Sequence, residues 1–255
     1  CKLFSRSSRG VVLTDEGRLL YDHVSEAFEA LNEGEEKLKR SIELGVGQLK
    51  IGVSSTLCKY MLLPYLKEFI HRNPHISISI ECQSTNETLK LLDDDKIDIG
   101  LIGKPASLKT FNFYYLDNIE DIFVTTKDYL RNLSARGVKK SEILQNSTLM
   151  LLDKGNMTRK YIDDYLQENQ IHVKDSIDIS NMDLLIDFAK IGVGVACVIK
   201  SIVSKELADG TLIEIPLGIP IHKREVGFAY KESSKLSTSL QTFIKFYESY
   251  TPEDF

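Results

Sequence analysis

Three short turns rich in hydroxyl and amide side chains could do chemistry in this chain: Ser54-Ser55-Thr56, Ser84-Thr85 and Asn156-Met157-Thr158. Each lies between a β-prone run and a stretch with helical periodicity, so each is expected at a strand-to-helix turn. Such a turn offers free backbone N–H groups at the positive end of a helix, beside side-chain donors, and can hold an anion. The same residues also serve as plain N-caps for the helices they open. From the tripeptide alone, plain capping is the favoured reading. Gly103-Lys104 ends a further apolar run that would face the same cleft, and Lys104 is a candidate counter-charge, with an ordinary surface lysine as the alternative.

Catalytic constellations do not emerge. The five histidines, His23, His71, His75, His172 and His222, fall on different elements. His71 and His75 have helical spacing, but Pro74 between them ends that helix, so a two-histidine metal site fails. Asp93-Asp94-Asp95 cannot converge on one ion without special backbone geometry and reads as a solvated loop. The sequence has no Gly-x-Ser-x-Gly elbow, phosphate-binding loop or His-Glu-x-x-His helix. Gly192-x-Gly194 lacks the third glycine of a dinucleotide fingerprint. The expectation is no catalytic residue, no metal and no cofactor: a binding protein, not an enzyme.

The elements that must position the turns follow from the pattern. The 255 residues are 42% hydrophobic and 27% charged, enough for a substantial core, and no apolar run reaches the length of a membrane span of about 18 residues. Net charge is −5, yet Lys2, Arg6 and Arg9 leave the first ten residues basic, with no acid before Asp15. Leu3-Phe4, the polar turn Ser5 to Gly10 and Val11-Val12-Leu13 read as a hairpin. Thr14 then caps a helix with Asp15 and Glu16 in its first turn, where the dipole favours acids. Along that helix Gly17, Leu20, Val24, Ala27, Leu31, Gly34 and Leu38 recur at alternating intervals of three and four, a heptad seam opposite a strongly polar face. Two copies meeting along Leu20, Val24, Ala27, Leu31 and Leu38 explain that seam; packing on the chain's own core is the alternative. The helix is expected to stop near Gly45-Val46-Gly47.

Beyond it, strands are expected at Gln48–Val53, Ile76–Cys82, Lys96–Gly103, Glu120–Thr126 and Thr148–Leu152, with helices after each hydroxyl-rich turn and a closing helix at Ser237–Tyr250. An extended aromatic segment, Phe111 to Leu116, precedes a crossing into a second lobe whose first helix is expected at Lys140–Leu144. Four scattered cysteines, at 1, 58, 82 and 197, fit buried thiols in a reducing compartment, Cys82 and Cys197 best because they sit inside apolar runs.

The stretch from Leu3 to Gly17 resembles the wing and linker-helix entry of LysR-type transcriptional regulators, matching at Leu3, Phe4, Arg6, Arg9, Gly10, Leu13, Thr14 and Gly17. The resemblance continues through the Gly-x-Leu-x-Ile-Gly run at Gly47–Gly52, Tyr60, Leu63-Pro64, Phe69, Asn73-Pro74, Asp98–Ile102, Met157-Thr158-Arg159 and Ile191–Ala196. It departs at Ile199, where the family often has proline.

The resemblance implies an α/β fold: a two-lobed, type 2 periplasmic-binding-protein-like effector domain, preceded by the wing remnant of a winged helix-turn-helix and a long linker helix. It implies a division into 1–14 (wing), 15–47 (linker and dimerisation helix), 48–116 with 226–255 (lobe I) and 117–225 (lobe II). About forty residues carrying the recognition helix are expected ahead of Cys1. With the family register behind them, Ser54, Ser55, Thr56, Ser84, Thr85, Gly103, Lys104, Asn156, Met157 and Thr158 are expected to bind a small anionic or carboxylate effector between the lobes. Arg6 and Arg9 are expected to contact DNA phosphate or minor groove. The expected protein is a cytoplasmic homodimer, with pairing into tetramers left open, that binds DNA and effector but no membrane. Two alternatives stand beside it: a transporter's solute receptor with the same two-lobed body, and a thiol-based redox regulator using Cys58 or Cys197.

Overall fold

The computed structural model describes residues 1–7, 10–43, 47–105, 107, 110–232 and 236–252, without the side chains of 7 and 37–43. Arg9 and the Leu38 side chain, expected at DNA and at the dimer seam, lie outside the described residues, as do Gly45 and Val46 at the expected helix end. The chain divides into two units, residues 1–48 with 74–77 and residues 49–73 with 78–255.

In the first unit β1 (Phe4–Ser7) and β2 (Gly10–Leu13) pair antiparallel, with Phe4 opposite Leu13 and Ser7 opposite Gly10. The 29-residue α1 (Asp15–Glu43) follows. Thr14 caps it: its hydroxyl accepts from the Gly17 amide at 3.0 Å and donates to the Lys2 carbonyl at 2.7 Å. Gly17 cannot carry a side chain, because a Cβ there would lie 1.9 Å from the Leu3 carbonyl oxygen. The seam residues Leu20, Val24 and Leu31 are 47%, 51% and 70% exposed. Arg6 is exposed on the hairpin.

The second unit carries two five-stranded sheets. The chain enters through β3 (Gly47–Val53) and α2 (Ser55–Leu57), which runs through a π-helical turn (Cys58–Leu62) into α3 (Leu63–Arg72). Pro64 explains the wide turn: it has no N–H to give, and the Leu63 amide bonds back to the Cys58 carbonyl. Next come β4 (Ile76–Cys82), α4 (Thr85–Asp93), β5 (Ile99–Gly103) and β6 (Phe111–Ile119). The second sheet is built from β7 (Asp121–Thr125), α5 (Lys127–Ala135), α6 (Ile143–Asn146), β8 (Thr148–Leu152), α7 (Met157–Glu168), β9 (Asp175–Ile179), α8 (Met182–Lys190), β10 (Val195–Ile199), α9 (Ser204–Asp209) and β11 (Ile213–Glu214). Then β12 (Arg224–Lys231) returns to the first sheet and α10 (Thr238–Ser249) closes the fold.

Strand order is β4-β3-β5-β12-β6 in lobe I and β11-β7-β10-β8-β9 in lobe II. β3 and β5 are parallel, while β12 runs antiparallel to β5 and β6. The chain therefore crosses between sheets at Glu120 and again ahead of Arg224. β6 runs past the expected Leu116 to Ile119 because β12 pairs along its whole length, ending with Arg224 opposite Ile119.

Aromatic packing carries the core of lobe I. Phe69 meets Phe243 at 4.9 Å, and Phe228 stacks on Tyr247 at 4.6 Å, so α3 and α10 close over β12. In lobe II, Phe123, Leu149, Ile162, Val195 and Cys197 form the centre. α5 and β9 there were not expected from the sequence. α5 is capped by Thr126 and buries Leu133, with Tyr129 and Leu130 packed against the same core. β9 is an edge strand with four exposed residues, so its composition lacks the apolar signal of a central strand. Both glycines of Gly192-x-Gly194 have local reasons. Gly192 has φ +75° after α8, and a Cβ on Gly194 would lie 2.3 Å from the Thr148 carbonyl oxygen. Among the described residues no helix is long and apolar enough to cross a membrane.

Candidate functional site

The C-terminal ends of β3, β4 and β5 in one sheet and β8, β9 and β10 in the other surround one cavity of about 350 Å³. Ligands in open α/β sheets bind outside the carboxyl ends of strands, where following helices begin. The turn residues Ser54, Ser55, Thr56, Ser84, Thr85, Asn156, Met157 and Thr158 all line this cavity, as does Gly103.

The two readings of the turns prove compatible. Ser54 accepts from the Leu57 amide at 3.3 Å, Ser84 forms a full capping box with Glu87, and Asn156 accepts from the Thr158 amide at 2.8 Å. Those three acceptors therefore serve their own helices. The residues that follow them, Ser55, Thr56, Thr85 and Thr158, bring further hydroxyls to the cavity wall, the Thr158 amide being taken by the Asn156 cap. α4 and α7, nine and twelve residues long, direct their positive ends there.

Lys104 does not line the cavity. Its ammonium pairs with Glu225 and lies 5.7 Å from the Phe113 ring centre. The antiparallel pairing of Gly103 with Val226 puts Glu225 next to it and accounts for the capture. The cation that does line the wall is Arg224, which the sequence reading missed. Its guanidinium donates to both carboxylate oxygens of Asp121, at 2.8 and 3.0 Å, to the Thr158 hydroxyl at 3.2 Å, and packs over Tyr161. The Asp121 side chain is fully buried, and burial pushes its carboxyl up while the Arg224 guanidinium opposes the rise. No local motif marks Arg224, since its partner lies 103 residues earlier. Gln83 also lines the cavity, and its buried side-chain amide nitrogen has no hydrogen-bond partner among the described residues. Asp153 contributes an acid to the same wall.

Arg159, just after the third turn, faces away. It bonds to the Leu152 carbonyl at 2.9 Å and to Asp163 and Asp178, which anchors the start of α7 to the ends of β8 and β9. Among the described residues no three His, Cys, Asp or Glu side chains gather as a metal site. The cysteines are not all buried. Cys197 is, at 3% exposure, but Cys82 is exposed and lines the cavity, because it ends an edge strand whose last residues reach past the core.

A smaller cavity of about 210 Å³ shares Thr56, Leu57, Ile119 and Ile199 with the first and adds Tyr60. Beside it the lobes are latched. Asp183, in the first turn of α8, accepts from the Lys59 ammonium at 2.7 Å and from the Tyr60 hydroxyl at 2.5 Å. The Lys59 hydrogen bond first, and the Tyr60 hydroxyl second, hold the Asp183 carboxyl below the usual carboxylate range. A carboxyl depressed in the folded state stabilises it above the unfolded pKa and stops doing so as pH falls through the folded value. The unfolded value is about 3.9, so the latch is fully present at about pH 6 and weakens below about pH 4. Urea denaturation of Asp183→Asn should accordingly give a lower midpoint than the parent at neutral pH, with the gap closing on acidification. A gap that stays constant with pH contradicts the latch.

Residues 43–251 match the LysR substrate binding domain family. The HTH-type transcriptional activator CmpR of Synechocystis is 24% identical over 250 residues, covering 96% of this chain and 79% of CmpR. The regulator YeiE of Escherichia coli is 24% identical over 246 residues, covering 96% and 81%. The Synechocystis CcmR regulatory domain, solved in complex with 2-PG, shares the fold with a TM-score of 0.66 at 19% identity, over 78% of this chain and 95% of that one. A family of regulators decides against the transporter-receptor alternative. With two sheets, two crossings and a cleft at their facing ends, matched over residues 43–251, the chain belongs to the LysR family of transcriptional regulators and carries its substrate-binding domain.

Proposed function

We propose that the cleft binds a small oxyanion or carboxylate and that this ligand is the effector of the regulator. The observation carrying the reading is that hydroxyl-bearing helix starts from both lobes face one cavity together with Arg224. The Arg224 charge is already paired with Asp121, and Asp153 adds a negative group. Attraction therefore rests on N–H and O–H dipoles, which suit a compact anion able to accept many hydrogen bonds. The Gln83 amide is a further donor within reach of the wall. Contacts from both lobes make ligand binding favour lobe closure, and closure would alter how paired linker helices present two DNA-binding heads. In this reading residues 1–14 are the wing, 15–47 the linker helix, and Arg6 and Arg9 position the protein on DNA backbone without reading bases. The setting is cytoplasmic.

Inorganic sulfate, inorganic phosphate, small carboxylates and 2-PG should each be screened by thermal shift, since a ligand of the folded state stabilises it by mass action. With the strongest of these, Thr56→Val should weaken binding by about 0.5–3 kcal/mol, the range for a lost hydrogen bond, larger toward a charged acceptor. Calorimetry giving the same affinity for both proteins would remove the effector from this cleft.

The exposed seam of α1 supports a homodimer, because Leu20, Val24, Ala27 and Leu31 recur on one face with little cover. Leu31→Asp places a charge at the most exposed large apolar residue of that seam. Sedimentation at micromolar concentration should find the parent as a dimer, or as paired dimers, and the variant shifted to monomer. A parent that sediments as a monomer defeats the seam.

A further inference from the structure

The smaller cavity differs from the cleft in chemistry. It opens off the same wall, with Thr56, Leu57, Ile119 and Ile199 common to both. Lobe I gives it Leu57, Met61 and Ile119, and lobe II gives it Ile199 and Ile202. All of these but Ile202 count among the buried apolar residues. The polar groups around the void are largely committed to one another. The Tyr60 hydroxyl donates to Asp183, and the Asn118 side-chain amide donates to the Tyr115 hydroxyl at 2.8 Å. The Asn118 backbone amide occupies an Asp117 carboxylate oxygen at 2.7 Å. Among the described residues the charged member of this wall is Asp117, whose sign repels an anion. The cleft therefore offers donors, and the side cavity offers hydrocarbon. A few polar groups that fix a ligand's orientation, beside apolar walls that take its body, are the usual layout of a small-molecule site.

We propose that the side cavity holds the hydrocarbon body of the effector, an acid whose anionic head lies at the hydroxyl turns of the cleft. This rests on the anion-cleft reading and narrows it to an amphipathic monoanion. The orientation follows from the walls. Donors and Arg224 draw the head into the cleft, Asp117 turns it away from the side cavity, and the chain runs past the shared residues Leu57 and Ile199. Size sets the length of the chain. An apolar void of about 150 Å³ admits a benzene-sized ring. The side cavity, about 210 Å³, accordingly takes a body of about six carbons. A body in that place touches Met61 of one lobe and Ile202 of the other, so it favours closure as the head does. It also packs beside Tyr60, whose hydroxyl belongs to the Asp183 latch. Inorganic anions leave this space unused.

The test measures binding of acetate, butanoate, hexanoate and octanoate to the 255-residue chain by calorimetry. Inorganic sulfate reports the cleft alone, and 1-hexanol reports the side cavity alone. Affinity should tighten about fourfold for each methylene buried and level off between hexanoate and octanoate. Ile202 lines the side cavity and not the cleft, so Ile202→Trp fills the space from outside the anion site. In that variant the longer acids should bind no better than acetate. Ile202→Ala enlarges the space and should carry the rise on through octanoate; it decides the matter should the tryptophan variant fail to fold. Affinity that is flat with chain length while sulfate binds overturns the proposal, as does a rise that both Ile202 variants leave unchanged. If sulfate and acetate fail to bind, 1-hexanol separates the two readings. Hexanol binding to the parent and not to Ile202→Trp keeps the apolar site and rejects the anion cleft; no hexanol binding rejects both.

Discussion

Asp121 begins the strand entered at the first crossing between the sheets, Arg224 begins the strand entered at the second, and their bidentate pair holds both crossings at one point. The Asp121 side chain is fully buried and that of Arg224 nearly so, which makes the pair costly to break: a buried charge left without its partner costs about 3–5 kcal/mol. The same guanidinium reaches Thr158 at the start of α7 and lies over Tyr161. One ion pair thus ties the two crossings together, contacts the third hydroxyl turn and forms part of the cleft wall.

Around that fixed point the cleft is lined by neutral donors far more than by charge. Ser54, Ser84 and Asn156 cap their helices, which aligns the first-turn amides, while Ser55, Thr56, Thr85 and Thr158 stand at the wall. Such a surface is organised before any ligand arrives, because the caps and the Arg159 anchor fix each turn independently. Two further contacts act on the arrangement from its edges. The Asp183 latch joins α8 to the π-helical turn across the lobes, and the Gln83 amide, bonded to the Val53 carbonyl, joins the starts of the first two turns within lobe I. Both act on the stretch from Val53 to Tyr60, which carries the first hydroxyl turn.

Much of this was legible in the residues because the relevant signals are local. The Thr14 cap, the heptad run of α1, the strictly alternating β4 and the three polar turns depend on near neighbours in sequence, and they fall where the pattern places them. What was not legible depends on distant pairing. Arg224 looks like any surface arginine until β12 pairs with the end of β6 and brings it to Asp121, and Lys104 looks like a free cation until the same strand brings Glu225 to it. Cys82 sits in an apolar run yet faces solvent, because the end of an edge strand is covered on neither side. β9 escaped notice for the same reason, its polar residues being tolerable only at an edge.

The central claim is that helix starts from both lobes act as one anion site. Amide chemical-shift mapping tests it most directly, because the proposed contacts are backbone N–H groups. Titration with inorganic sulfate should give its largest, saturable shifts at Ser55, Thr56, Thr85 and Met157, with the Arg224 side-chain Nε resonance moving in parallel. Shifts confined to surface lysines, or to the turns of one lobe alone, would contradict a shared site.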